Sequence, residues 1–207
     1  MSKQLYKSFF VAITIIFLFN GCISITKELP AQKTYSLTLE KKNSNISSKY
    51  YDKTIRIYEP KALSSINTKA ILYSKNAVEQ EEYALSKWSD KPSKMVQKLI
   101  AKHLTSQNKY KYITSSNIKV PTDYKLISEL VEFKQIFTEH KSYADFSIRV
   151  YLINNNTQKV YFKSFTYNKL SNTNNAKGLV YGINNISNNF LLDLQNFIQK
   201  SLKKDTL

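Results

Sequence analysis

The sequence predicts an α+β domain in which a mostly antiparallel sheet carries two main helices packed on one of its faces. Two observations predict this class. Segments in which apolar and polar residues alternate, the two-residue period of a strand, occur before and after a segment of helical periodicity. A second helical segment closes the chain, so the predicted order of elements is ββββαββββα.

The composition is that of a folded domain with a core of its own. Apolar residues make up 42 % of the 207 residues and aromatic residues 13 %, which is enough to fold without disulfides. Glycine is scarce, with 3 residues in the whole chain. A glycine-rich loop that cradles phosphate is therefore disfavoured.

The N-terminus has the pattern of a signal peptide. Lys3 and Lys7 precede an apolar run over residues 9–19. A helix of about eleven residues is too short for a bilayer core of roughly 30 Å, but it fits the apolar region of a signal peptide. Residues 18–22, with the sequence LFNGC, then resemble a lipobox, in which a small residue precedes the cysteine that carries the lipid.

Cys22 is the single cysteine of the chain, so it has no disulfide partner within it. The alternative is an ordinary secreted protein with a stray thiol, which an oxidising compartment disfavours. Lipidation accounts for the unpaired thiol, and we predict that Cys22 carries diacylglycerol and an amide-linked palmitate-type chain. These chains would anchor the protein firmly, since each buried methylene contributes about 0.8 kcal/mol. Ile23, rather than aspartate, follows it and favours the outer membrane of a Gram-negative envelope.

These observations divide the chain into three parts. We predict a lipoprotein signal peptide over residues 1–21, a lipidated tether over 22–33 and a single periplasmic α+β domain over 34–207. The mature protein would face the periplasm from its lipid anchor.

Four strands are predicted before the first helix. Residues 35–39 alternate, residues 54–58 form a second strand that Pro60 stops, and residues 70–74 and 82–88 form the third and fourth.

The first helix is predicted over residues 91–106. Asp90 is the expected N-cap, and Pro92 falls in the first turn, where its missing N–H costs little. Apolar residues follow at helical spacing, with lysines on the opposite face. The apolar positions are Met95, Val96, Leu99, Ile100 and Leu104.

Four further strands and a long helix complete the domain. The strands are predicted over residues 110–114, 124–138, 144–152 and 160–165. Residues 124–138 are apolar on both phases, so we expect both faces of that strand to be covered. The final helix, about 176–203, has an apolar stripe with steps of three and four residues. The stripe consists of Leu179, Ile183, Ile186, Phe190, Leu194 and Phe197.

The formal net charge of +16 comes mostly from lysine, with Arg56 and Arg149 as the two arginines. A polyanion partner is one interpretation. The other is compositional, because the lysines are scattered and accompany many asparagines and isoleucines. Export disfavours nucleic acid as a partner, whereas weak attraction to an anionic membrane surface is compatible with the charge.

No pattern of catalytic residues stands out. His103 and His140 lack the spacing of metal ligands, and no Gly-x-Ser-x-Gly motif occurs. The acidic group of Glu79, Glu81 and Glu82 is typical of a solvated turn rather than of acid–base catalysis. We therefore expect a protein that is not an enzyme and that uses no metal or other cofactor.

Several local patterns resemble the ABC-type transport auxiliary lipoprotein family, which includes the paraquat-inducible protein C type. The resemblance spans most of residues 34–203, and its most distinctive part runs from Tyr73 to Pro92. One departure is the missing arginine just before the tyrosine of the third strand. The matching positions are Tyr35-Ser36-Leu37, Ile55-Arg56-Ile57, Pro60-Lys61-Ala62-Leu63, Ile71-Leu72-Tyr73, Tyr83, Trp88, Pro92, Met95 and Leu99.

The resemblance implies a non-enzymatic subunit anchored at the outer membrane. Its partners would be an MCE-domain substrate-binding protein and the subunits of an ABC transporter that moves lipids or other hydrophobic compounds across the periplasm. It is also compatible with a homo-oligomer. Tyr73, Tyr83 and Trp88 are the expected docking or pocket-lining surface, with core packing as their alternative role. The alternative function is that of an accessory lipoprotein in outer-membrane assembly.

Overall fold

The longest strand organises the sheet in the computed structural model, which describes residues 30–40, 49–115 and 120–205. In this part of the chain nine strands and two helices follow one another. They are β1 (Lys33–Tyr35), β2 (Tyr51–Ile57), β3 (Lys61–Ala62), β4 (Ala70–Ser74), β5 (Glu81–Trp88), α1 (Pro92–Ser106), β6 (Tyr110–Ser115), β7 (Tyr124–Phe137), β8 (Ser142–Asn154), β9 (Val160–Leu170) and α2 (Ala176–Asp205).

Strand β7 has a different kind of neighbour on each side. Along one edge it pairs with β8 over its whole length, antiparallel, and β8 pairs antiparallel with β9. Along the other edge it pairs in turn with β2, β3 and β4, all parallel. Strand β6 extends the sheet beyond β2, and β5 and β1 extend it beyond β4. The sheet is therefore open and mixed, with its longest ladders antiparallel.

The α+β class and the order of elements are confirmed. Both helices and seven of the eight predicted strands have bounds close to those expected, although β9 runs to Leu170 rather than residue 165. The strand predicted over 35–39 shares only Tyr35 with β1. Strand β3 was not predicted, because its two residues, Lys61 and Ala62, are too few to show a period. The described chain from Gln32 onward forms one compact unit. None of the described helices is long and apolar enough to cross a membrane.

The helices cover one face of the sheet and form the core with it. The predicted apolar positions of α1 are all buried, as is the stripe of α2 except for the partly buried Phe197. Phe190 of α2 contacts Phe146 of β8 and Phe165 of β9, each with ring centroids 5.3 Å apart. Because alternate residues of a strand point to opposite faces, Phe146 marks the helix-covered face of β8.

The start of α1 corrects the predicted cap. Lys91, not Asp90, is the N-cap residue, and it makes no capping hydrogen bond with its side chain. The Asp90 carboxylate instead accepts a hydrogen bond from the backbone N–H of Lys91 at 2.9 Å. A distant residue takes over part of the capping, since the N–H of Ser93 donates to the Asn67 side chain at 3.2 Å.

The segment 35–39 keeps its predicted alternation although β1 ends at Tyr35. Tyr35, Leu37 and Leu39 are partly buried, and the residues between them are exposed. After Tyr35 the hydrogen-bond partners are side chains of α2 rather than a strand: the Asn184 side chain accepts from the Thr38 N–H at 2.7 Å, and Asn188 accepts from the Glu40 N–H at 3.2 Å. Gln32 and Lys33, the last two residues of the predicted tether, belong to the same compact unit as the rest of the described domain.

Gly182 allows α2 to approach the sheet closely, and its replacement by alanine is expected to destabilise the fold. A Cβ at this position would lie 2.5 Å from the Cβ of Ala144 on β8. Since Ala144 is fully buried, one of the two elements must move, at a cost of about 1–3 kcal/mol. Urea unfolding of Gly182→Ala measures this cost. Adding Ala144→Gly should recover part of it, and an unchanged midpoint in the single variant would contradict the close approach.

Candidate functional site

Tyr73 and Tyr83 form one aromatic cluster at the end of the sheet. Tyr73 on β4 and Tyr83 on β5 lie with ring centroids 4.7 Å apart, and Tyr73 meets the edge of Phe137 on β7 at 5.6 Å. All three side chains are partly exposed. We call Tyr73, Tyr83 and Phe137 the tyrosine cluster. The structure thus brings together two of the three residues that the sequence suggested for a docking surface.

Both hydroxyl groups of the tyrosine cluster are hydrogen-bond donors to acidic or amide oxygens. The Tyr73 hydroxyl donates to the Glu81 carboxylate, and the Tyr83 hydroxyl donates to Oε1 of Gln135 at 2.5 Å. The bond to Glu81 is the main cause that raises the pKa of Tyr73. Burial, with a contribution from Tyr73, raises the pKa of Tyr83 to about 12. Both phenols therefore stay protonated at neutral pH, which suits recognition rather than nucleophilic chemistry.

A buried polar network fixes the tyrosine cluster from behind. Gln135 on β7 is fully buried, and its Nε2 donates to the Ser142 hydroxyl at 2.7 Å and to the Ser171 hydroxyl at 3.3 Å. The Ser142 hydroxyl in turn donates to the Asn174 side chain at 2.8 Å. Since a satisfied buried network rigidifies its surroundings, Tyr83 is held in one position by β7, β8 and the segment before α2.

Charged side chains lie beside the tyrosine cluster, and exposed apolar residues lie near it in the chain. Lys75 lies 5.5 Å from the centre of the Tyr73 ring and forms an ion pair with Glu81 at 3.0 Å. Hydrogen bonds from Tyr73 and Lys75 lower the pKa of Glu81, so this carboxylate is ionised at neutral pH. Val78 and Leu85 nearby in the chain are 91 % and 47 % exposed. This mixture of aromatic, apolar and charged groups is typical of a protein-docking surface.

Trp88 does not belong to that surface. Its side chain is 1 % exposed and lies 5.2 Å from the ring of Phe133 in the core. The expectation that Trp88 contacts a partner is therefore corrected: β5 places it on the buried side of the sheet, and its role is packing.

The histidines and Glu79, which were considered from the sequence as catalytic or metal-binding candidates, lie either in the core or at the exposed surface. His103 on α1 is buried with a ring nitrogen 3.0 Å from the Gln195 side chain, and burial lowers its pKa. His140 and Glu79 are exposed, and Glu79 accepts a hydrogen bond from the Asn76 amide at 2.7 Å. Within the described ranges no group of three His, Cys, Asp or Glu residues could hold a metal ion. Cys22 lies outside the described residues.

A second surface, which was not predicted from the sequence, is the face of β7, β8 and β9 opposite the helices. We call it the open face. Among the described residues no element lies across it, and Val160, Phe162 and Leu170 on β9 are 54 %, 55 % and 49 % exposed. The signal was present in β7, whose apolar residues on both phases led us to expect two covered faces. Within the described chain only one is covered, so the second phase of β7 faces outward.

The comparisons with known proteins support the fold. No family model and no curated protein matches the sequence. A solved structure of a Xanthomonas campestris protein, described under the family model DUF330, is similar at a TM-score of 0.74 with 15 % identity, covering 84 % of this chain and 99 % of its own. An uncharacterised protein is similar at 0.62 with 10 % identity, covering 82 % and 98 %. A Neisseria meningitidis lipoprotein reaches 0.36 with 13 % identity over 67 % and 97 %, which is too low to carry weight.

Proposed function

We propose that this chain is a lipid-anchored auxiliary subunit of an ABC transport system with an MCE-domain protein, placed at the outer membrane and facing the periplasm. The observation that carries the proposal is the tyrosine cluster, a partly exposed aromatic surface held on a buried hydrogen-bond network. Its two tyrosines lie in the segment where the resemblance to the auxiliary lipoprotein family is most distinctive. The chain would act by binding, and its partners would do the transport.

The lipobox at residues 18–22 supports the anchored part of the proposal. An acylated Cys22 would hold one end of the chain in the membrane, since buried methylenes contribute about 0.8 kcal/mol each. The ten peptide units between Cys22 and Gln32 extend to about 35 Å at most. The folded unit would therefore stay near the membrane surface, where its partner must reach it.

The tyrosine cluster fits the docking part of the proposal. Tyrosine supplies a large contact area with little side-chain entropy to lose, and its hydroxyl satisfies polar groups of the partner. Tyr73 presents its ring at the surface while Tyr83 is fixed by Gln135. We expect Tyr73 to contribute to binding and Tyr83 to hold the surface in shape.

Affinity purification of the full chain from native membranes tests the proposal. The protein, carrying a C-terminal tag, is extracted in mild detergent, and co-purifying proteins are identified by mass spectrometry. We expect an MCE-domain protein together with an ABC ATPase or permease. Recovery of barrel-assembly components would support the alternative function in outer-membrane assembly and sink the transport proposal, as would recovery of nothing above background.

Two variants separate anchoring from docking in the same experiment. Cys22→Ala should abolish the incorporation of labelled palmitate. Tyr73→Ser should lower recovery of the partner about tenfold, which corresponds to about 1.4 kcal/mol of binding. Tyr181→Ser on α2, which replaces a 58 % exposed tyrosine away from the tyrosine cluster, is the matched control and should leave recovery unchanged.

A further inference from the structure

On the open face, residues of similar type follow one another in nearly the same order in both directions along each strand. On β8, the middle strand, Ile153 lies at the outer edge of this face, and the five residues of the face that precede it are Tyr143, Asp145, Ser147, Arg149 and Tyr151. An aromatic residue stands at each end, charges of opposite sign stand inside them, and a serine lies at the centre. Reversing the strand therefore exchanges aromatic with aromatic and a negative with a positive charge.

Strand β9 repeats the pattern of β8. Val160 lies opposite Ile153, and the five open-face residues of β9 in register with Tyr143–Tyr151 are apolar at both ends and polar between them. They are Phe162, Ser164, Thr166, Asn168 and Leu170.

Strand β7 follows the same order, with a bulge between Leu130 and Glu132 that shifts its register by one residue. Lys125 lies opposite Ile153, and isoleucines stand at both ends of the five open-face residues of β7 in register with Tyr143–Tyr151. Those residues are Ile127, Glu129, Glu132, Lys134 and Ile136.

We infer that the open face binds the open face of a second copy of this chain about a two-fold axis that passes Ser147 and Thr166. The axis runs across the strands, so each strand faces its own counterpart in the reverse direction. Arg149 then faces Asp145 of the second copy. A two-fold interface requires a surface that is complementary to itself, and the pattern of the three strands meets that requirement.

The other residues that would face each other across the two-fold axis are also complementary in charge or polarity. Glu129 faces Lys134 of the second copy, and the apolar end with Tyr151 and Phe162 faces the end with Tyr143 and Leu170. Tyr151 and Phe162 already lie with ring centroids 5.0 Å apart, so they present one apolar surface. Sheets that pack face to face lie about 10 Å apart with strands crossing at about 30°, which twisted sheets adopt readily.

The charged centre selects a second copy over a purely apolar occupant. Arg149 pairs with Glu129 at 3.6 Å and Lys134 with Glu132 at 2.9 Å within one copy. An apolar ligand would remove these ion pairs from water without supplying further partners for their charges, at a net cost. The second copy supplies opposite charges to Arg149 and Glu129. Near the axis Glu132 approaches its own counterpart, and the adjacent Lys134 offsets that repulsion.

The size of the open face predicts a reversible dimer. Three strands at about 4.8 Å spacing and about eleven residues at 3.3 Å each give a patch of about 14 by 36 Å. Two such patches amount to roughly 1,000 Å², the lower limit for a specific interface. Confinement of two anchored chains to one membrane would raise their effective concentration and favour association.

Cross-linking of variants with one added cysteine, in native membranes where Cys22 is acylated, tests the dimer. Thr166 is exposed and lies on the axis, so Thr166→Cys should give a covalent dimer of this chain with a short bis-maleimide. Asn168→Cys is the matched control on the same strand and face. Its two thiols would lie about 15 Å apart, because each residue along a strand adds about 3.3 Å on both sides of the axis. We expect at least tenfold less product from Asn168→Cys, and none from the wild-type chain.

Two outcomes would overturn the dimer: equal cross-linking of Thr166→Cys and Asn168→Cys, or cross-linking of Thr166→Cys only to a different protein. A second set of variants tests the chemistry in the Thr166→Cys chain. Phe162→Glu and Arg149→Asp should each lower the cross-linked fraction about tenfold, and adding Asp145→Arg to Arg149→Asp should restore most of it. Failure of this restoration while circular dichroism shows an intact fold would also overturn the arrangement.

Discussion

Replacing Trp88 with alanine is expected to lower the free energy of unfolding by about 3–5 kcal/mol, the usual range for an aromatic residue removed from a core. Trp88 is 1 % exposed and contacts Phe133, which contacts Phe146 at 6.1 Å, so its loss leaves a cavity in a chain of packed rings. Urea unfolding followed by circular dichroism measures the change. Trp88→Phe should cost less, since it keeps part of the volume.

Tyr181→Ala provides the control for Trp88→Ala. Tyr181 on α2 is an aromatic residue of similar size that is 58 % exposed, so its removal should change stability by about 0.5 kcal/mol or less. If Trp88→Ala unfolded at the same urea concentration as the wild-type chain, the packing role would be wrong and the original docking hypothesis for Trp88 would return.

The helices and strands could be predicted from the sequence because the spacing of apolar residues in each element depends on which of its faces is buried. The stripe of α2 repeats every three or four residues and is buried except for Phe197, and Ala144, Phe146 and Ile148 on β8 alternate cleanly with exposed or half-buried neighbours. Periodicity of this kind follows from which face of an element meets the core. It predicts that a strand exists but not which strand lies beside it.

Periodicity could not predict which strands pair with one another, because the paired strands come from distant parts of the chain. Strand β7 pairs in parallel with residues of β2, β3 and β4 that precede their partners by more than sixty residues, and no local pattern marks those partners. The segment after β1 was predicted as a strand because its alternation is real. Its backbone is bound by Asn184 and Asn188, whose side chains replace the neighbouring strand.

The candidate surfaces show the same limit. Tyr73, Tyr83 and Trp88 alternate with other residues in neighbouring strands, and the sequence could not separate those at a sheet end from those under a helix. The structure separates them by exposure: the two tyrosines are partly exposed and Trp88 is buried. The open face was not predicted, because apolar residues on both phases of a strand generally indicate that both of its faces are covered. A second copy would supply the missing cover.

Asp205 at the end of α2 gathers four donors around one carboxylate. The hydroxyls of Tyr124 and Tyr161, the amide of Asn154 and the ammonium of Lys159 all donate to it, with Tyr124 at 2.7 Å and Asn154 at 2.9 Å. A negative charge is unfavourable at the C-terminal end of a helix, so these donors must outweigh the helix dipole. Burial by itself would raise the pKa of Asp205, but the hydrogen bonds lower it to about 2.

This lowered pKa makes stability depend on pH in a defined range. Because the folded-state pKa of Asp205 lies below the value of about 3.9 for an unfolded chain, its contribution is fully present above pH 4. The contribution falls as the pH drops through the folded-state pKa of about 2. The wild-type chain should therefore lose this part of its stability between about pH 4 and pH 2.

Replacing Asp205 with alanine is expected to lower the free energy of unfolding by about 3 kcal/mol at pH 7, since hydrogen bonds to a charged group contribute about 1.5–3 kcal/mol each and Tyr124 would be left without its acceptor. The carboxylate is 8 % exposed, so water replaces it poorly. Urea unfolding at pH 7, 4 and 2 measures the difference from the wild-type chain, which should shrink towards pH 2 because Asp205 is then almost fully protonated in the unfolded chain and about half protonated in the folded one. Asp52→Ala, which removes a 72 % exposed carboxylate, is the control and should show a difference below about 0.5 kcal/mol at pH 7. A difference for Asp205→Ala that stayed constant from pH 7 to pH 2 would mean that its charge does not hold the helix end to β7, β8 and β9.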